Sequence, residues 1–274
     1  MNNLISKLLI TVFSLAISNS ALSASIDKKI DKLSTAKHRS EYNILRNQYR
    51  HPKETLKFFE VKERMTVVEI WPSSGWYTEI LAPLLKKKGK YYAAGFSQDE
   101  ATAPAWQTSF VKTFEEKIST DPDLYAAVVV TELAPPDKTD IAPAGTADRV
   151  LTFRNVHNWM KGEYEDEVFA AMYKALKPGG ILGVVEHRAN EGTSLEAMIK
   201  SGYVTEAHVI ALAEKAGFKL LDRSEVNANA KDTKDHPEGV WTLPPSLRLK
   251  EHDKEKYLAI GESDRMTLKF VKPK

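Results

Sequence analysis

The chain contains no cysteine. That excludes disulfides, thiolate chemistry and a lipidated N-terminal cysteine. An excess of one charge is missing too: 39 basic side chains against 37 acidic ones leave a formal charge of +2. With no long block of like charge, nucleic acid is not expected as the main partner. No apolar run reaches the roughly 20 residues a membrane-spanning helix needs. The HExxH zinc pattern is absent and the histidines are scattered, so no metal is expected. The last scarcity is local. In Thr66 to Thr78, TVVEIWPSSGWYT, a strand-like run meets a turn where nucleotide-binding loops usually carry several glycines, and here only Gly75 is present.

What is present is ordinary globular material. With 274 residues, 42% of them hydrophobic and 28% charged, the chain is long enough for one large domain with a sizeable core. Lys7, the apolar run Leu8 to Ile17 and Ala21-Leu22-Ser23-Ala24 follow the order of an export signal: basic segment, apolar segment, small-residue cleavage site. Residues 1–24 are therefore expected to be a signal peptide, with 25–274 as a single domain. Ser18, Asn19 and Ser20 interrupt the apolar run, which argues against a permanent anchor. The expected location is periplasmic or secreted, with no stable membrane insertion after cleavage.

Element patterning predicts a parallel sheet covered by helices. A polar helical extension, about 25–60, precedes a first buried strand at Met65 to Trp71. A helix follows from Gly75 to Lys86, with Pro83 expected to kink it. Lys90 to Phe96, Tyr125 to Thr131, Arg149 to Phe153 and Ile181 to Glu186 read as further strands. Phe110 to Lys117 and Tyr164 to Leu176 read as helices, the second stopped by Lys177-Pro178-Gly179-Gly180. Thr205 caps the best-marked helix, Val204 and Val209 are placed as a hydrophobic staple, and Gly217 ends it. Phe218 to Val226 and Met266 to Val271 supply the last two strands. Between them lies a polar insertion, about 227–262, of a length that is more often functional than idle.

Three segments carry a resemblance: Tyr49-Arg50-His51-Pro52, Glu69-Ile70-Trp71-Pro72-Ser73-Ser74-Gly75-Trp76-Tyr77 and Arg154-Asn155-Val156-His157-Asn158-Trp159. With the element order and the turn at Leu176 to Gly180, they make the chain resemble the class I S-adenosylmethionine-dependent methyltransferases. Within these it looks most like exported bacterial proteins described as predicted methyltransferases. The resemblance implies an α/β, Rossmann-like doubly wound fold with a mostly parallel seven-stranded sheet. It also implies S-adenosylmethionine as cofactor and a small molecule or exposed side chain as methyl acceptor. It places Glu69 at the acidic end of the first strand, near the methionine ammonium, and Gly75 at the last glycine of the cofactor loop. Tyr77 stands beside that loop, Phe96 against the adenine or ribose, and Glu132 near the adenine amino group. The ribose carboxylate that commonly ends the second strand is missing from Ala93-Ala94-Gly95-Phe96-Ser97-Gln98. His157 would be the base, with Asn155 and Arg154 orienting the acceptor.

Each assignment has a plainer counterpart. His157 also suits a hydrogen-bonded strand-to-helix turn. Trp71, Trp76, Tyr77 and Trp159 suit core packing. Arg50-His51-Pro52 either closes the site or simply stops a helix, and His236 with Trp241 forms either a lid or a surface excursion. His157, Glu186 and His187 could converge on a metal only through the fold. Two other functions compete: a non-catalytic periplasmic ligand-binding protein that retains the methyltransferase fold, and a nicotinamide-dependent oxidoreductase, whose GxGxxG loop is absent.

Overall fold

The computed structural model describes residues 25–101 and 103–274, so the expected signal peptide lies outside the described residues. A seven-stranded sheet runs in the order β3-β2-β1-β4-β5-β7-β6. Its strands are β1 (Thr66–Ile70), β2 (Lys90–Gly95), β3 (Val128–Glu132), β4 (Ala147–Phe153), β5 (Leu176–His187), β6 (Lys219–Ser224) and β7 (Arg265–Val271). β1 to β5 pair in parallel, while β7 is antiparallel to both β5 and β6. The expected fold class and strand number are what the structure shows.

The helices are α1 (residues 25–34), α2 (Glu41–Leu45), α3 (Asn47–Arg50), α4 (Pro52–Phe58), α5 (Thr78–Leu85), α6 (Ala105–Thr120), α7 (Pro122–Tyr125), α8 (Val156–Gly162), α9 (Glu165–Ala175), α10 (Leu195–Ser201), α11 (Glu206–Lys215) and α12 (Lys254–Ile260). Successive side chains of β1 point to opposite faces, and both faces are apolar. Val67 joins Ile30, Leu56, Phe59, Ile80, Leu81 and Leu85 in the core under α1, α4 and α5. Val68 and Ile70 join Trp159, Phe169, Met172, Val209 and Leu212 in the core under α8, α9 and α11. The sheet is thus a middle layer with a dry core on each side.

Several boundaries differ from expectation. α6 runs from Ala105, well before Phe110. Tyr125 belongs to α7 and not to a strand. The first-strand turn extends to Tyr77, so α5 starts later than Gly75. Lys177 to Gly180 does not separate helix from strand but lies within β5, where the pairing register with β4 shifts between Ala147 and Arg149. α11 matches its signals: Thr205 Oγ1 accepts from His208 N at 3.2 Å, and Gly217 follows its end at φ +100.

The N-terminal segment is tied to α5 and the turn before it by buried charge. Arg39 donates to Glu79 at 2.9 Å with both side chains almost fully buried, and Asn43 and Lys117 also donate to Glu79. Arg39 and Arg50 both lie over the Trp76 ring, at 4.5 and 4.6 Å from its centroid. This docking brings Arg46 and Arg50 to the carboxyl end of the sheet.

Gly75 takes φ +78, and a Cβ there would lie 2.8 Å from Lys117 Cδ. The left-handed conformation favours glycine, and a Cβ would also have to displace the Lys117 side chain of α6. Gly75→Ala is expected to cost about 1–2 kcal/mol, read as a lower melting temperature.

Candidate active site

The chain builds β2 and β3 on one side of β1, then returns to build β4 and β5 on the other, so strand order reverses between β1 and β4. The crevice outside the carboxyl ends of strands at such a point is where open α/β sheets bind ligands. A cleft of about 280 Å³ lies there, walled by Glu69 and Trp71 from the end of β1, Arg154, Asn155 and His157 after β4, and Trp241 from the insertion. A second, more open cleft of about 830 Å³ adjoins it, bordered by Ser97, Gln98, Glu132 and Lys138. Trp71, Trp106 and Asn158 line both. A third cleft, about 580 Å³, sits at the opposite end of the strands around Ile26, Val61 and Met65. Its position does not suit chemistry in this fold.

Glu69 is 3% exposed. It accepts from the hydroxyls of Thr78, at 3.2 Å, and Tyr91, and no basic side chain among the described residues pairs with it. Burial pushes its carboxyl up to about 7, against the pull of those hydroxyls and of Arg154 and Arg50. A buried acid without a cation is an expensive feature, and it faces the cleft.

The turn after β1 alternates its handedness, with φ +46 at Trp71, +54 at Ser73 and +78 at Gly75. Such alternation turns successive N–H groups inward as an anion-binding concavity. The N–H groups of Ser73 and Ser74 donate to no protein acceptor among the described residues, and both residues line the cleft. Gly75 itself does not line it. Its absent side chain serves the approach of α6.

The aromatic residues are packed and also form wall. Trp71 donates from Nε1 to Leu133 O at 2.9 Å and lies 4.5 Å from Phe96, edge-on to Trp159. Its indole stands between the two clefts. Tyr77 stacks on Phe153 at 3.7 Å and donates to Arg50 O, while Trp76 donates to Asn43 O. Tyr77 and Phe96 reach the inner cleft. Glu132 instead borders the outer one, accepting from Gln98 N at 3.2 Å.

After β4, Arg154 sits at φ +63 with its guanidinium in the cleft. Asn155 spends its amide N–H groups on Ile70 O at 3.0 Å and Thr152 Oγ1 at 3.2 Å, so it ties β1 to β4 where they diverge. His157 shares its Nδ1 with Glu186 Oε1 at 3.0 Å, and Glu186 is fully buried. With that carboxylate as acceptor, Nδ1 carries the proton and Nε2 remains the basic nitrogen. His187 meets Ser263 Oγ through Nδ1, and burial, followed by the charges of His157, Arg265, Arg154 and Arg50, holds it well below the usual imidazole range.

His157, Glu186 and His187 bring potential ligand atoms within 4.8 Å of one another. The hydrogen bonds of Glu186 to His157 and to His187 N account for the cluster without a metal.

Sequence reasoning did not find Arg46, Glu262 or Arg265, nor settle Trp241 as wall. Trp241 stands edge-on to His157 with ring centroids 5.9 Å apart, whereas His236 turns away to Asp232 at 2.8 Å. In Arg50-His51-Pro52, His51 at φ 39 breaks α3 from α4, as the helix-stopping alternative expects, and Arg50 lines the cleft. Glu262 and Arg265 lie more than 200 residues from Arg46 and carry no local motif. The one available signal was a long polar insertion rejoining the sheet directly beside the site.

The strand order and the placement of this cleft define the fold of the class I S-adenosylmethionine-dependent methyltransferases. No family model matches the chain, and neither does any curated protein. Among solved structures, a SAM-dependent methyltransferase from Aquifex aeolicus is 22% identical with TM-score 0.51, over 73% of this chain and 93% of that one. A proposed sarcosine dimethylglycine methyltransferase from Galdieria sulphuraria is 15% identical with TM-score 0.53, over 84% and 85%. The [4+2]-cyclase SpnF is 14% identical with TM-score 0.52, over 81% and 82%. A fold that also serves a cyclase does not by itself fix the reaction.

Proposed function

We propose that the protein is an S-adenosylmethionine-dependent methyltransferase acting on a small molecule. The observation that carries this reading is Glu69: a buried carboxyl at the end of β1, facing the switch-point cleft with no basic partner. An ammonium group such as that of the cofactor's methionine end is the partner it lacks. The unpaired N–H groups of Ser73 and Ser74 suit the adjacent carboxylate. On the other side of Trp71, Ser97, Gln98 and Glu132 supply polar contacts for an adenosyl end, and Trp71, Trp106 and Tyr164 supply aromatic surface, while Phe96 lines the inner cleft. The residues present therefore fit the cofactor.

When bound, the cofactor supplies a methyl group on a sulfonium centre, open to in-line displacement. The protein then needs to hold the acceptor and take its proton. His157 Nε2 is the base, and Glu186 holds the ring in the required tautomer. Asn155 keeps the ends of β1 and β4 in register beneath it.

Calorimetry of the purified chain with S-adenosylmethionine and S-adenosylhomocysteine tests the reading directly. Absence of binding at millimolar concentration overturns it.

Glu69 also sets a pH signature. Its folded value lies above its unfolded one, so between about 4.5 and 7 the native state binds more protons and stability falls as pH rises. The penalty is absent below that window and complete above it, at roughly 3 kcal/mol. Glu69→Gln is expected to melt higher than the parent at pH 8, to lose this pH slope and to lose cofactor affinity. Cofactor binding to the parent is expected to release a proton and to strengthen with pH up to about 7, read by calorimetry in buffers of different ionisation heat.

A further inference from the structure

The inner cleft holds four guanidinium groups from three distant parts of the chain: Arg46 and Arg50 from the N-terminal helices, Arg154 after β4 and Arg265 at the start of β7. One carboxylate serves them. Glu262 accepts from Arg46 Nε at 2.5 Å, from Arg50 Nε at 3.3 Å and from Arg265 Nη2. Although burial alone would raise its carboxyl, the charges of Arg265, Arg50, Arg46 and Arg154 hold it well below the usual range.

Arg154 has no hydrogen-bond or ion-pair partner for its guanidinium among the described residues. Arg46 Nη2 and Arg265 Nε are buried without an acceptor. Burial, then the charge of Arg265, brings Arg154 down to about 10, and burial, then Arg154, holds Arg50 well below its ordinary value. Arg154 keeps partial contact with solvent, whereas Arg46 Nη2 and Arg265 Nε are donors out of water that lack an acceptor, a costly state that a bound oxyanion relieves. Their planar donor forks match an oxyanion.

The other charged groups facing the cleft do not cancel this excess. Glu69 is engaged by two hydroxyls, Glu186 by His157 and the His187 N–H, and His187 is neutral. Even with both carboxyls ionised, positive charge predominates. The small volume and the walls of Trp71, Phe153 and Trp241 limit the ligand to a small molecule.

We propose that the methyl acceptor carries a phosphate or carboxylate group, which Arg154 binds with Arg50, Arg46 and Arg265 so that the nucleophile faces His157. Calling the ligand an acceptor rests on the methyltransferase reading. The anion site does not. Inorganic phosphate and acetate are the probes, titrated calorimetrically into the purified chain with and without saturating S-adenosylhomocysteine.

The expected result is saturable binding of at least one probe, unchanged by S-adenosylhomocysteine. The probe that binds tighter tells a phosphate-bearing acceptor from a carboxylate-bearing one. Loss of one charge-assisted contact in Arg154→Gln is expected to weaken binding about tenfold, with partial recovery in Arg154→Lys. Arg154 has no protein partner to lose, so both variants are expected to melt near the parent, and Arg46→Gln provides an independent second test. Binding absent for both probes, or unaltered in Arg154→Gln and Arg46→Gln, overturns the proposal. So does competitive displacement by S-adenosylhomocysteine, which would assign the arginines to the cofactor's own carboxylate. Probe binding as expected with no binding of S-adenosylhomocysteine keeps the anion site and removes the methyltransferase reading.

Discussion

Glu262→Gln is expected to destabilise the protein by about 3–5 kcal/mol, because it removes one partner of a buried ion pair and leaves the opposing charges uncompensated. The melting temperature should fall by roughly 10 °C for a chain of this length. Three guanidinium groups share that side chain, which is 1% exposed, and a fourth stands nearby without a partner. Desolvation decides the magnitude. The same change at Glu225, paired with Arg188 at 2.7 Å but 68% exposed, should cost less than about 1 kcal/mol, since solvent screens the pair. Phosphate should recover part of the loss in Glu262→Gln by binding only the folded state. Since the folded value of Glu262 is depressed, its contribution is present above the ordinary carboxylate range and is lost only in strong acid. A melting temperature within about 2 °C of the parent, measured by circular dichroism, would show that Glu262 does not hold a buried charge centre together.

His157→Ala is the second large effect, and it falls chiefly on turnover, with a smaller loss of stability because the fully buried Glu186 loses its imidazole partner. Proton removal by a positioned base typically contributes about 10²–10⁴ in rate. Loss on that scale is about 3–5 kcal/mol of transition-state stabilisation. Transfer of labelled methyl from S-adenosylmethionine into a small-molecule extract of the cells that express the protein gives the readout. Cofactor binding by calorimetry should be unchanged, since Glu69 and the Ser73–Ser74 turn lie apart from the imidazole's task. Glu186→Gln should lower the rate too, because a neutral amide no longer enforces the Nδ1–H tautomer. Turnover in His157→Ala within about threefold of the parent would reduce His157 to a hydrogen-bonded turn residue, well short of the contribution a base makes.

Much of the scaffold was legible because its signals are local. A strand buried on both faces has to be a continuous apolar run, so β1, β4 and the second half of β5 stand out in the sequence. Thr205, Val204, Val209 and Gly217 mark both ends of α11 through capping geometry that depends on neighbours a few residues apart. Boundaries failed where local signals conflict. Tyr125 and Val128 look alike as strand formers, but Pro122 at the first turn of α7 draws Tyr125 into a helix. The Lys177 to Gly180 turn reads as a stop because proline and glycine usually are one, yet it is accommodated by a register shift inside β5.

The sequence by itself determined the layered α/β fold, the position of Glu69 at a strand end, and the presence of Arg154, Asn155 and His157 after the fourth strand. These follow from hydrophobic periodicity and from the side of the sheet on which a strand must end. Only the tertiary structure decided that Gly75 makes room for α6, that Glu132 borders a different cleft from Glu69, and that Trp71 stands between the two. It alone gathered Arg46, Arg50, Arg154 and Arg265 round Glu262. That gathering depends on helices packing across a sheet and on an insertion rejoining it beside them, and contacts over such separations leave no periodic trace in the chain.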